Sequence, residues 1–163
     1  MVSPTTAYLA LGSNLGDRAA NISAALTRLE DSGVRVTARS PLYETDPVTA
    51  DPQPLYLNGA ARVETTLAAD ELLALCLAVE RSLGRERPPG ALSPAPRPID
   101  LDLLLYGDQV VSRPTLIVPH PRLLERPFVL IPLADVATPG LRHPVTDTPL
   151  DAAPSSPGVR AFR

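Results

Sequence analysis

Arg97-Pro98-Ile99-Asp100-Leu101-Asp102-Leu103-Leu104-Leu105-Tyr106-Gly107 reads as a β-strand opened after a proline and closed by a glycine. In a pleated strand Asp100 and Asp102 point to the same side, roughly 6.5 Å apart at their Cα atoms. Two like charges at that spacing repel by about 2.5 kcal/mol at an effective dielectric of ~20. Burying both without a cation would be unfavourable. An acidic outer face on an edge strand is the plain alternative, and the neighbours argue against it. Leu104 and Tyr106 are expected to continue the carboxylate face as bulky apolar groups, with Ile99, Leu101, Leu103 and Leu105 on the other. This predicts a strand covered on both faces, its acids at the mouth of a cleft. Two divalent cations, typically ~3.5–4 Å apart in two-metal sites, suit such a carboxylate pair.

Upstream, Ala7-Tyr8-Leu9-Ala10-Leu11 reads as a first buried strand that ends at Gly12-Ser13-Asn14-Leu15-Gly16-Asp17. From about Asp17 to Asp31, Ile22, Leu26 and Leu29 keep helical spacing, and Gly33 marks the stop. Val34 to Glu44 reads as a second strand. After a proline-punctuated loop from Asp46 to Pro54, Tyr56 to Thr66 alternates as a third through Leu57, Ala61, Val63 and Thr65. Ala69 to Leu83 carries Leu72, Leu75, Cys76, Val79 and Leu83 on one helical face and closes at Gly84. A long loop, Arg85 to Pro98, holds five prolines and three arginines and leads into the acidic strand. Beyond Gly107, Val110-Val111 suggests a short pairing, Arg122 to Arg126 a helical turn, and Phe128 to Leu133 a further apolar segment. The order β-α-β-β-α-β predicts an α+β fold, a ferredoxin-like βαββαβ core with an antiparallel sheet and flanking helices. A single domain over residues 1–163 is expected, its core spanning about 6–137, with the tail 138–163 ordered only in part.

At 163 residues and 17.3 kDa, with 44% hydrophobic residues and a formal charge of −3, the chain suits one globular domain with a substantial core. No apolar run approaches the ~20 residues that span a bilayer, and the N-terminus lacks the pattern of a secretion signal. The lone Cys76 cannot form an intrachain disulfide, which fits a reducing cytoplasm. Its place on a helical apolar face marks it as a buried structural thiol rather than a nucleophile. All 15 basic residues are arginine. Schiff-base chemistry, a P-loop lysine and a lysine general base are thereby excluded. Any bound anion must be held by guanidinium forks, backbone amides or metal. A pI near 5.3 with few aromatic residues gives no support for nucleic-acid binding.

Gly12 to Asp17 follows a strand and opens a helix, where backbone N–H groups could meet a phosphate. It lacks the G-x-G-x-x-G spacing of a dinucleotide fingerprint, and a tight turn capped by Asn14 or Asp17 explains it. Arg85, Arg87, Arg97, Arg122 and Arg126, with His120, form a basic counterpart to the aspartates. Arginines on loops are usually just solvated. These flank a proline-rich loop and the acidic strand, where a phosphate clamp would be mounted if that loop closes as a lid. Tyr56 and Phe128 are two of the few aromatic residues, and core burial is the default for each. Asn58, on the same strand face as Tyr56, adds an amide that could pair with ring atoms of a flat heterocycle while an aromatic side chain stacks on it. Thr45, Pro47 and Val48 open the adjoining loop and could edge such a pocket.

Taken together these residues resemble the 6-hydroxymethyl-7,8-dihydropterin pyrophosphokinase family of folate biosynthesis, over about Ala7 to Asp135. The resemblance is carried by LALGSNLGD at 9–17, YETDPV at 43–48, QPLYLN at 53–58, ERSLGRER at 80–87, RPIDLDLLLYG at 97–107 and VPHPRLLERPFVLIPL at 118–133. It implies transfer of the β,γ-pyrophosphoryl unit of ATP to the hydroxymethyl group of a dihydropterin, with release of AMP. On this resemblance Asp100 and Asp102 hold two Mg²⁺ ions that bridge the triphosphate. Arg85, Arg87, Arg97, His120 and Arg126 neutralise and orient the phosphates, and Glu80 lies on the nucleotide side. Tyr56 and Phe128 sandwich the pterin, while Asn58, Thr45, Pro47 and Val48 read its edge. Where many relatives carry Arg-Trp-Gly-Pro-Arg, this chain has Ala91-Leu92-Ser93-Pro94-Ala95-Pro96-Arg97, so the stacking tryptophan of the lid is absent. A cytoplasmic monomer is expected, its partners being ATP and the dihydropterin, with no nucleic acid and no membrane. The rival readings are a catalytically impaired pterin- or nucleotide-binding module of the same fold and a metal-assisted phosphate-ester hydrolase. The second gives no reason for an amide beside an aromatic ring.

Overall fold

The computed structural model describes residues 3–46, 54–84 and 97–162. Strand β1 (Thr5–Ser13) runs through the middle of a six-stranded sheet, antiparallel to β4 (Tyr56–Thr65) on one side and β5 (Asp100–Tyr106) on the other. The outer side of β4 pairs with β2 (Arg35–Arg39) and β3 (Tyr43–Thr45), and β8 (Val159–Ala161) closes the edge beyond β3. Because β1 is covered on both faces, its apolar residues do not alternate with polar ones. Ala7, Leu9 and Leu11 belong to a core shared with helices α1 (Arg18–Asp31) and α2 (Ala69–Ser82). Tyr8 belongs to a second core, under helix α3 (Pro127–Val136).

Each helix is delimited by local chemistry. The Asp17 carboxylate accepts from Ala20 N at 3.1 Å and caps α1, and Gly33, at φ 93°, takes the left-handed turn that follows it. Ile22, Ala25, Leu26 and Leu29 form its buried stripe. Glu71 reaches back to the Ala68 backbone N–H at 2.9 Å to cap α2, and Gly84 ends it. Cys76 is fully buried in α2, and burial, aided by Glu80 and Asp102, pushes its thiol up to about 12, as a structural role requires. The apolar segment after Arg126 is helical because Pro127 occupies the first turn, where no N–H is needed. Arg62 ties its far end to the sheet, donating to Val136 O at 2.9 Å and to Thr37 Oγ1 at 3.1 Å. Tyr43 adds a second tie, donating to Asp135 Oδ2 at 2.5 Å. Burial and that carboxylate push its phenol up to about 12.

Two expectations need correction. The segment read as one strand from Val34 to Glu44 is two, β2 and β3, broken at Ser40-Pro41-Leu42. Ser40 caps the break by accepting from Ala60 N and donating to Pro41 O, and a Cβ on Gly59 would meet Leu42 Cδ2 at 2.8 Å. On β5, Leu105 and Tyr106 lie on the faces opposite to those expected. The pairing with β1 steps from Leu9↔Leu103 to Tyr8↔Leu105, which leaves Leu104 as an extra residue. That bulge sends Leu104 and Leu105 into the α3 core and returns Tyr106 to the α1/α2 core. The tail makes its own contacts with the fold. Leu150 is buried under α3 and donates its N–H to Leu141 O at 2.9 Å, and β8 pairs with β3. The short pairing after Gly107 is β6 (Val111–Arg113) with β7 (Leu116–Val118), and residues 123–125 make a 3₁₀ turn.

The 141–150 turn contains a titratable group. His143 is buried and its Nδ1 accepts from the backbone N–H groups of Val145 and Thr146, both at 3.2 Å. Burial lowers its pKa from 6.5. Since the folded state prefers the neutral ring, the turn keeps its full contribution above the unfolded value and loses it as pH falls through the lower folded one. We expect an NMR titration to place His143 below an unstructured histidine, with the Val145 and Thr146 amides shifting in step. A midpoint at or above the ordinary value would contradict this.

Candidate active site

The strand register assembles the site. Gly12 of β1 pairs with Asn58 of β4 on one side and Asp100 of β5 on the other, and Ala10 likewise lies between Ala60 and Asp102. Directly paired residues share a face, so the amide and the carboxylates stand on the α3 side of the sheet across a floor of residues with little or no side chain. A Cβ on Gly12 would sit 3.3 Å from Asn58 Oδ1 and 3.9 Å from Asp100 Cβ.

β5 is an edge strand whose outward backbone groups need partners. The Leu101 N–H, between the two aspartates, donates to Glu80 Oε2 at 2.7 Å, and Leu104 O accepts from His120 N at 2.9 Å. Glu80 is 2% exposed and sits in the last turn of α2. Its carboxylate therefore grips the strand that carries Asp100 and Asp102, a connection not legible in the sequence.

Arg97 precedes β5 and bridges the two halves of the site. Its guanidinium lies 3.6 Å from Asp100 Oδ2 and 6.0 Å from the centre of the Tyr56 ring. Its Nε is buried with no hydrogen-bond partner among the described residues. The backbone of Arg97 is fixed by Asn14, whose Oδ1 accepts from Arg97 N at 2.8 Å while Asn14 N donates to Arg97 O at 3.1 Å. Asn14 also donates from Nδ2 to Pro54 O at 3.4 Å, close to Tyr56. Asp17, not Asn14, caps the helix, so the buried asparagine is a cross-brace. We expect Asn14→Ala to leave a buried N–H without an acceptor and lower stability by ~1–3 kcal/mol. Chemical denaturation would measure it, and a wild-type midpoint would refute it.

On the other flank Asn58 Nδ2 donates to Thr45 Oγ1 at 2.6 Å, and both residues are buried. Tyr56 is half-buried two residues along the same face. His120 follows a cis Val118–Pro119 bond. Its Nδ1 accepts from Arg122 N at 3.2 Å, which leaves Nε2 as the protonated nitrogen of the neutral ring. Burial, then Arg126, lowers its pKa, while Asp100 pulls the other way. Arg126 stands 5.7 Å from the Phe128 ring centre at the start of α3, and Phe128 packs against the α3 core. Among the described residues Arg122 pairs with exposed Glu125, at 3.8 Å. Arg85, Arg87, Pro47 and Val48 lie outside the described residues, as does the tryptophan-less stretch 91–96.

A cavity of about 360 Å³ opens against β5, lined by Leu73 and Leu77 of α2, the Pro114–Ile117 segment, Glu80, Asp102 and His120. Its apolar walls escaped the sequence reading, because Leu77 and Ile117 are exposed and fit no core stripe. Among the described residues no group of three or more His, Cys, Asp or Glu gathers to cage a metal ion. Nor is any helix among them long and apolar enough to cross a membrane.

Paired strand carboxylates, a bridging guanidinium and an imidazole thus stand beside a cavity with apolar walls on an antiparallel sheet. Residues 8–138 match the sequence model of 7,8-dihydro-6-hydroxymethylpterin-pyrophosphokinase (HPPK), and the chain belongs to that family. It is 47% identical to an Arabidopsis thaliana folate synthesis bifunctional protein over 78% of this chain and 26% of that one. With the 2-amino-4-hydroxy-6-hydroxymethyldihydropteridine pyrophosphokinase of Bacillus subtilis it shares 45% identity over 80% of this chain and 77% of the relative. The crystal structure of Plasmodium falciparum HPPK-DHPS is similar in fold, with a TM-score of 0.67 at 15% identity over 93% of this chain and 41% of that one. The chain thus spans only about a quarter of the bifunctional plant relative's length, 26%.

Proposed function

We propose that this chain transfers the β,γ-pyrophosphoryl unit of ATP to the hydroxymethyl group of 6-hydroxymethyl-7,8-dihydropterin, as a step of folate biosynthesis, and releases AMP. The observation that carries this reading is the row Asn58–Gly12–Asp100, an amide and a carboxylate on either side of a glycine with no side chain between them. The order β5-β1-β4-β3, with α1 and α2 on one face, supports a ferredoxin-like core forming a single pterin pyrophosphokinase domain.

Tyr56 and Phe128 stack on the pterin, and Asn58, locked by Thr45, pairs with its edge. The nucleoside occupies the cavity beside Leu77 and Ile117, with its phosphates running toward Asp102 and His120. The hydroxymethyl oxygen attacks the β-phosphorus, the bond from that phosphorus to the α,β-bridging oxygen breaks, AMP leaves with the electron pair, and the hydroxyl proton passes to solvent. Arg97, His120 and Arg126 meet the charge that builds up, and Arg85 and Arg87 are assigned to the phosphates by the family resemblance alone, as Pro47 and Val48 are to the pterin edge. Two carboxylates on one strand face are a donor set that suits Mg²⁺, which binds through one or two carboxylates with phosphate and water oxygens filling its octahedron. Asp100 and Asp102 would hold two such ions, which when bound neutralise triphosphate charge. A cytoplasmic monomer completes the reading.

The test is nucleotide analysis of a reaction with ATP, Mg²⁺ and the hydroxymethyl-dihydropterin. AMP in step with pterin pyrophosphate is the expected result. ADP as sole product, or phosphate release without an acceptor, rejects the proposal.

A further inference from the structure

The C-terminal strand and Arg18 meet at the pterin end of the proposed site, and neither belongs to its contact residues. Arg18 opens α1, and its Nη1 donates to Leu55 O at 3.0 Å and lies 2.9 Å from Glu44 Oε2. Its guanidinium also stands 5.3 Å from the centre of the Phe162 ring. Glu44 precedes Thr45, and Leu55 precedes Tyr56. One side chain thus holds the neighbours of both residues at the β3–β4 pairing Thr45↔Tyr56. From outside, β8 pairs Tyr43↔Ala161, Glu44↔Arg160 and Thr45↔Val159, and Phe162 N donates to Leu42 O at 2.9 Å. Arg160 lies 3.5 Å from Asp46 Oδ1.

β3 is only three residues long, and its ladder with β4 is limited to Tyr43–Thr45. The Thr45 hydroxyl nevertheless fixes the Asn58 amide. We propose that Arg18 and the strand Val159–Ala161 form a clasp that holds β3 and the start of β4 in register, and so act as positioning elements for the pterin-reading side of the site without touching the ligand. Arginine suits the hub, since a planar guanidinium can bond a carboxylate and a carbonyl in its plane while stacking against an aromatic ring. The inference rests on the proposed function for the identity of the ligand and on the geometry alone for the clasp.

The test compares wild type, Arg18→Ala, Arg18→Lys, a chain ending at Gly158, and the Arg18→Ala change in that shortened chain. Dihydropterin and ATP affinities are titrated separately, and amide exchange is followed at Tyr43–Thr45 and Tyr56–Asn58. Arg18→Ala and the truncation should each weaken dihydropterin binding about tenfold, with ATP binding and kcat at saturating dihydropterin within about twofold of wild type. Lysine should restore part of the loss, and the combined variant should be little worse than either change alone, because both open the same clasp. Dihydropterin and ATP affinities falling together, or a lowered melting temperature with dihydropterin affinity unchanged, would overturn the proposal. If wild type binds no dihydropterin the functional reading fails, and exchange alone judges the clasp: faster exchange at those amides in both single changes supports it, and unchanged exchange removes it.

Discussion

Asp100→Asn and Asp102→Asn are each expected to lower AMP release by a factor on the order of 10²–10³, the scale on which single groups that stabilise developing phosphoryl charge act. Asparagine keeps the shape and removes the charge, so the strand, gripped by Glu80 at the Leu101 N–H, should stay in place. Stability should change little in Asp100→Asn, because relief of the repulsion between the two carboxylates is offset by loss of the pairing of Asp100 with Arg97. Dihydropterin affinity should change little, since the amide lies across Gly12 from the acids. The double variant should fall well short of the product of the single losses, as expected of groups that act as one unit. Steady-state AMP release, denaturation midpoints and pterin titration decide the matter together. Turnover near wild type in both single variants would remove the carboxylates from the mechanism.

Gly12→Val is expected to have the second-largest effect. Even the first added carbon lies 3.3 Å from Asn58 Oδ1, and the two methyl groups of valine would project further into the row between Asn58 and Asp100. Overpacking of this kind is worth ~1–3 kcal/mol, or about 5- to 150-fold in affinity. It should appear as loss of dihydropterin binding with the sheet intact, since valine favours strands. Gly12→Ala should show the same pattern on a smaller scale, the neighbouring amide yielding by a few tenths of an ångström. Far-UV circular dichroism and ligand titration separate the outcomes: an unfolded Gly12→Ala protein, or one with unaltered dihydropterin affinity, would show that the gap at residue 12 is not what admits the ligand.

Much of the site was legible because its signals are local. The Asp-x-Asp repeat in an apolar run fixes two carboxylates on one face by the period of the pleat, and Tyr56 with Asn58 follows the same rule. The stripe Ile22–Leu26–Leu29 and the stops at Gly33 and Gly84 declare α1 and α2 through spacing and turn chemistry. The positions of Leu105 and Tyr106 were misread for a complementary reason. Alternation is a local rule, and the bulge at Leu104 that breaks it is set by pairing with β1, nearly a hundred residues away. The sequence could assign Glu80 to the nucleotide side only by resemblance; its bond to an outward N–H exists because β5 became an edge.

By itself, then, the sequence determined strands β1, β4 and β5, helices α1 and α2, the absence of lysine and the family. Only the tertiary structure decided that Gly12 separates Asn58 from Asp100, that Asn14 braces Arg97 rather than capping a helix, and that the C-terminal strand lies beside Thr45. The division follows from range: periodicity and capping are energies between near neighbours in the chain. Register, edge status and the bond from Arg97 N to Asn14, made across 83 residues, are energies that exist only once the sheet has closed.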